Sequence, residues 1–354
     1  RMVDLPDRPY FRRGAAIAVG VLLAASLLVW RRAPVPAEAS PLTVSSTPRA
    51  PMVVIGLDGV EPAELAGLGL PAPIAVWSRS MAPPPEIWTT IATGVSAERH
   101  GVRAFERILL FGAAAVRPPR GTAWAVRGPL RWAGIAVRLP VSGVERRAFT
   151  FWEVAARGGD SVVAVNWWAS SPIPGASVAG NAEIALRARS AESDDAEAIR
   201  VFDRERAARK PALATVYLPG ADIARGAPTA PAREFLRREE ARARAGEELL
   251  WVVADAGRSG RAGALCGLDS ETRSGSNPLT AAPTDVAPSI LARLGLPSAR
   301  DLDGAPLARA FAPGALEPAT VASYGSPRAR DRSERAGEAG KEYLERLRSL
   351  GYLK

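Results

Sequence analysis

With 354 residues, 47% of them apolar, the chain is long and apolar enough for one large α/β domain or two smaller ones, and wholesale disorder is excluded. Its formal charge of +9 and pI near 10.4 come almost entirely from arginine, with lysine only at Lys210, Lys341 and Lys354. No recognition helix, zinc-finger spacing or aromatic-interleaved basic patch accompanies that charge, which sets nucleic acid aside as a partner, and the single cysteine, Cys266, excludes an intrachain disulfide.

Residues 1–13 form a basic N-terminal segment with Arg1, Arg8, Arg12 and Arg13. Gly14–Trp30 follows as an uninterrupted run of apolar and small residues. At about 1.5 Å per residue it is just long enough to cross a bilayer core as one transmembrane helix. The arginines before it favour a cytoplasmic N-terminus. The expectation is a single-pass inner-membrane protein whose C-terminal domain is periplasmic or otherwise extracytoplasmic. A cleaved signal peptide is the competing reading, because Ala37-Glu38-Ala39 has the small-x-small form of a cleavage site. Arg31 and Arg32, directly after the apolar run, speak for an uncleaved anchor. Residues 31–50, rich in Pro, Ala, Ser and Thr, read as a linker, and one domain is expected over 51–354.

That domain begins with PMVVIGLDG at Pro51–Gly59. Val53, Val54 and Ile55 follow one another without alternation, as in a strand of a parallel sheet buried on both faces. The strand ends in Asp58, where open α/β sheets place their ligand sites. Two later apolar runs do the same, Leu213–Leu218 leading to Asp222 and Leu249–Ala254 leading to Asp255. Glu61–Leu70 reads as a first helix. PPPEIWTTIATG at Pro83–Gly94 reads as a helix to about Thr93, with Pro85 at its first position and Glu86 in its first turn. Its N-terminus, at Pro85, Glu86 and Ile87, is a natural seat for phosphate or sulfate on unpaired N–H groups. Thr89 and Thr90, one turn in, are hydroxyls of the kind that bond back onto a helix carbonyl.

Val102–Arg147 is basic, broken by Pro and Gly, and reads as an insertion over one edge of the sheet. Phe151–Arg157 is a short helix and Ser161–Val165 a buried strand, after which Trp167 and Trp168 are expected to pack. Ser190–Ala208 and Ala232–Glu248 are charged stretches at helical spacing, read as solvated helix faces. Thr284–Leu294 is an amphipathic helix stopped by Gly295. After a loop at Asp301–Gly304, the final helix is Lys341–Leu350, with Tyr343, Leu347 and Leu350 on one face. Strands alternating with helices predict an α/β sandwich.

VVIGLDG at Val53, WTTIATGVSAERHGV at Trp88, FWEVAARGG at Phe151, VNWWASSP at Val165, YLPGADIA at Tyr217 and WVVADAG at Trp251 occur in that order. TDVAPSILARLGLP at Thr284, DLDGAPL at Asp301 and YLERLRSLGYL at Tyr343 complete the series. As an ordered set they resemble the alkaline phosphatase superfamily, and within it the type I phosphodiesterase/nucleotide pyrophosphatase group, specifically its membrane-anchored bacterial members. The resemblance spans essentially everything after the linker. It implies a three-layer α/β sandwich with a mostly parallel central sheet. It also implies metal-dependent hydrolysis of phosphate esters or diesters: two zinc ions, held by Asp and His, clamp the phosphate while a Ser or Thr hydroxyl attacks.

Carried over residue by residue, that pattern is broken. Asp58, Asp222 and Asp255 match the family's metal-binding acids. The nucleophile position, immediately before the proline that opens the WTTIATG helix, is Pro84. The family's metal-binding histidine positions are Gly226, Ala256 and Asn277, and His100, the chain's one histidine, matches a structural histidine outside the metal shell. The usual two-zinc site cannot be built from this set. The resemblance therefore implies a catalytically degenerate member, a pseudoenzyme that binds or scaffolds, with a phosphate-bearing or other anionic molecule as ligand. The alternative is an active hydrolase with one hard cation, Mg²⁺, Mn²⁺ or Ca²⁺, held by Asp58, Asp222 and Asp255, with Thr89 and Thr90 as the remaining hydroxyls.

Overall fold

The computed structural model describes residues 39–42, 50–78, 82–110, 136–143, 146–170, 176–255, 262–269, 272, 278–312, 319–327 and 338–349. Every residue of strand β1, Met52–Asp58, is buried, and the side-chain alternation of a strand explains how. Met52 and Val54 enter one apolar layer, while Val53, Ile55 and Leu57 enter another on the opposite face. Central strands β5 (Val162–Val165), β7 (Leu213–Leu218) and β8 (Leu249–Asp255) divide their side chains the same way. A continuous apolar run is thus what a strand between two helical layers requires.

The central sheet has eight strands in the order β10-β2-β9-β8-β1-β7-β5-β6. The outer members are β2 (Ala75–Ser78), β6 (Ala176–Ala179), β9 (Ala262–Leu268) and β10 (Leu279–Thr280). Only β9 runs against its neighbours. Helices Pro84–Thr93, Phe151–Arg157, Val286–Arg293 and Glu338–Ser349 cover one face. Helices Ala191–Arg209 and Ala230–Arg244 cover the other. The architecture is the three-layer, mostly parallel α/β sandwich expected from the sequence.

Several elements differ from expectation. The first helix stops after Pro62–Leu65 and a 3₁₀ turn, Ala66–Leu68, because the glycines at 67 and 69 end it, Gly69 at φ 84°. Strands β3 (Glu106–Leu110) and β4 (Ala136–Pro140) pair with each other as an antiparallel ribbon and are not hydrogen-bonded to either edge of the central sheet. Helices Ala191–Arg209 and Ala230–Arg244 are not simply solvated. Each buries acids in its apolar stripe, Asp194 and Asp195 in the first and Glu239 in the second. Among the described residues no helix is long and apolar enough to cross a membrane; Gly14–Trp30 lies outside the described residues, as do residues 1–13 and most of the 31–50 linker. The described part of that linker is not free, because Ser40 donates its N–H to the Ser323 carbonyl at 2.9 Å.

Candidate functional site at the carboxyl ends of β1, β7 and β8

Asp58 and Asp255 are register partners at the ends of two adjacent parallel strands. They share the side-chain parity of Val54 and Val253, so both point toward the layer that contains Trp88. Asp222 arrives from the short helix Gly220–Ala224 that follows β7. Gly59 makes this convergence sterically feasible: it turns at φ 83°, and a Cβ there would overlap the backbone nitrogen of Asp222. The N–H groups of Gly59 and Val60 both donate to the Asp255 carbonyl, at 2.8 and 3.2 Å. The structure thus brings together the three acids picked out in the sequence, and all three are buried.

Burial pushes the Asp58 carboxyl well above the ordinary carboxylate range. The nearby charges of Asp222 and Asp255 add to that, and the hydrogen bond from Tyr217, with the Trp88 indole close by, opposes it. The Tyr217 hydroxyl donates to Asp58 Oδ2 at 2.6 Å. Oδ1 is buried and accepts no hydrogen bond within the described part of the protein.

Around this carboxyl the space is filled by aromatic rings. Trp88 packs edge-on against Tyr217 and Trp167, with centroids 4.9 and 5.7 Å apart. Trp167 also touches Phe151 and Trp152. Sequence reasoning treated Trp167 as packing and assigned Trp88 no role, and so missed that these rings shape the site. The available signal was Gly56: a Cβ there would lie 2.9 Å from the Trp88 ring and 3.3 Å from Trp167, and a glycine inside a strand marks such a close approach.

Behind the rings runs a buried polar layer. Asn166, at φ 65°, donates through Nδ2 to Asp194 Oδ1 at 3.1 Å and to the Tyr217 carbonyl at 3.0 Å. Its Oδ1 accepts from Asn181, whose own Oδ1 accepts from the Tyr343 hydroxyl on the last helix.

The expected anion seat at Pro85, Glu86 and Ile87 is corrected by the helix start. The helix begins at Pro84, with Pro83 as its N-cap and Pro85 second. Three successive prolines have no N–H to offer. The next two, on Glu86 and Ile87, already donate to the Pro83 carbonyl at 2.9 and 3.2 Å. No unpaired backbone donor remains in this first turn.

Pro84 is itself buried, so the nucleophile position holds a ring in the interior. The Thr90 hydroxyl bonds back to the Glu86 carbonyl at 2.9 Å, as expected of a helix threonine, and lies 3.0 Å from His100 Nε2. His100 Nδ1 accepts from the Val102 N–H at 3.1 Å, so Nε2 carries the proton and donates to Thr90. His100 is a buried bracing residue. Thr89 is buried too, and its hydroxyl has no hydrogen-bond partner among the described residues.

Gly226 is exposed, whereas Ala256 and Asn277 lie outside the described residues. No group of three or more His, Cys, Asp or Glu side chains among the described residues is arranged to hold a metal ion. With no imidazole at Gly226 and His100 committed elsewhere, these donors do not fit the two-zinc centre that the resemblance implies.

No protein-family model matches the chain, and no curated protein matches it. Solved structures to which it is similar include a phosphonate monoester hydrolase of Agrobacterium radiobacter, at 12% identity, covering 74% of this chain and 77% of that one, with a TM-score of 0.44. A phosphonoacetate hydrolase from Sinorhizobium meliloti 1021 is 18% identical, with 62% and 60% covered and a TM-score of 0.38. Murine ectonucleotide pyrophosphatase/phosphodiesterase 5 is 16% identical, with 58% and 57% covered and a TM-score of 0.36. The chain therefore spans less than two thirds of the latter two. Likeness at this level carries nothing about activity.

Proposed function

We propose that this chain is a catalytically inactive phosphodiesterase-like protein of alkaline phosphatase type, anchored in the inner membrane by Gly14–Trp30, which works outside the cytoplasm by binding. The observation that carries the reading is Pro84: a buried proline ring occupies the helix start where the attacking hydroxyl belongs. The aromatic cover over Asp58 supports the same reading, since a clamped phosphate needs open space beside the metal-binding acids. The full chain, purified in detergent and given Mg²⁺, Mn²⁺ or Zn²⁺, is expected to hydrolyse bis-p-nitrophenyl phosphate no faster than a protein-free blank. Turnover that Asp58→Ala abolishes would overturn the proposal.

A second reading, a hydrolase with one hard cation between Asp58, Asp222 and Asp255, is favoured by a single observation. The three carboxyls are not disposed to hold an ion as they stand, but the charges of Asp222 and Asp255 reach Asp58, a repulsion that a cation drawing them together relieves. Stoichiometric Mg²⁺, Mn²⁺ or Ca²⁺ in chelator-free protein distinguishes this reading from the first.

A further inference from the structure

At the opposite end of the sheet from the three aspartates lies a cavity of about 760 Å³. It opens where β1 and β7 begin, between helices Ala191–Arg209 and Ala230–Arg244, and its size is that of a small-molecule site. Its charged lining is four cations, Arg206, Lys210, Arg238 and Arg242, against two acids, Asp203 and Glu239. We propose that this cavity binds a phosphate-bearing anion, with Lys210 as the group that makes the decisive contact.

The arginines are held in place by carboxylates. Arg238 grips Asp203 through both terminal nitrogens, at 2.6 and 2.9 Å, and reaches Glu239 through Nε at 2.8 Å. Arg206 spans two buried acids, Glu239 at 2.5 Å and Glu248, and Arg242 Nε also donates to Glu248, at 3.3 Å. These contacts fix the cationic wall in position. Lys210 differs from them, because its ammonium makes no ion pair or side-chain hydrogen bond among the described residues, although it lines the cavity.

The backbone at Lys210 points the same way. It is left-handed, φ 45° and ψ 60°, at the C-cap of the Ala191–Arg209 helix, a position that glycine fills without strain. A lysine there carries a conformational cost that its packing does not offset, since the residue is exposed. Burial also drives the Glu248 carboxyl up to about 7, with Glu239 beside it adding to the shift. Arg242 pairs with Glu247 as well, at 3.1 Å, so carboxylates match all three arginines, and among the described residues the unpaired cation of the wall is Lys210.

Phosphate on a soluble ester and phosphate in a lipid headgroup present the same oxygens to this wall, so the test separates the two sources. Full chain in zwitterionic detergent is titrated calorimetrically with glycerol phosphate, with short-chain phosphatidylglycerol, and with chloride at matched ionic strength. Saturable binding of glycerol phosphate identifies a soluble ester, and binding of phosphatidylglycerol alone identifies a headgroup. Lys210→Gly removes the ammonium and the backbone strain together, so it is expected to melt no lower than wild type. It should bind at least about tenfold more weakly, with affinity restored in Lys210→Arg. Absence of saturable binding above chloride for either probe overturns the proposal, and so does wild-type affinity in Lys210→Gly.

Discussion

Asp195 shows how one residue can set the acid–base behaviour of this interior. Its Oδ1 accepts the Gly220 N–H at 3.0 Å and its Oδ2 the Thr229 hydroxyl at 2.6 Å, fixing the start of the helix that carries Asp222. Burial still pushes its carboxyl up to about 7, against the two hydrogen bonds and with some help from Asp194. An acid raised this way takes up a proton on folding. Its stabilisation is complete below the unfolded value near 3.8 and is lost as pH climbs toward 7. Asp195→Asn keeps the shape and an acceptor for Gly220. In urea unfolding at pH 5 and pH 8, the wild type is expected to lose more stability on going to the higher pH than the variant does, by roughly a few kcal/mol at most. Equal losses would show that Asp195 is ionised in the fold at both pH values. Asp194, raised to about 6 by burial, acts in the same direction.

At the scale of elements, the turn after β1 is the least replaceable piece. Gly59 has both a positive φ and no room for a methyl group, so Gly59→Ala is expected to cost more than about 3 kcal/mol or to prevent folding. Gly226 is the contrast. A Cβ there meets only the Ala224 carbonyl, at 3.9 Å, and Gly226→Ala should change stability by no more than about 0.5 kcal/mol. Thermal melts of the two variants side by side test both statements.

The same elements show what the sequence could and could not disclose. Three apolar runs ending in acids placed Asp58, Asp222 and Asp255 correctly, because a buried parallel strand leaves a composition that few other structures share. The helix start was misplaced by one residue, since three prolines in a row give no local reason to prefer the second over the third. Asp194, Asp195 and Glu239 were hidden by their charge. Yet each continues an apolar stripe at helical spacing, toward Ala198, Val201 and Phe202 in one helix and back to Ala232, Phe235 and Leu236 in the other. Extending the stripe through the acids would have found them. The Lys210 cavity has no such trace, because its lining comes from the N-terminal ends of strands and from two helices distant in sequence.

For the molecule as a whole, the two ends of the sheet have opposite character. The carboxyl ends of the strands gather buried acids under aromatic rings, and the amino ends open into a cationic cavity. The proposed anchor gives a direct test of orientation. A reporter that folds only outside the cytoplasm, fused after Lys354, is expected to be active, and carbonate washing should leave the chain with the membrane. An inactive fusion would reverse the proposed topology.

The Ser40–Ser323 attachment adds a mechanical consequence. Reinforced by the Ser323 N–H donating to Ser40 Oγ at 3.4 Å, it ties the stretch before β1 to the stretch after strand Thr320–Val321, 283 residues further along the chain. Tension applied on the N-terminal side of Ser40 is therefore carried into the C-terminal part of the fold, and the buried strand β1 is not the first element loaded.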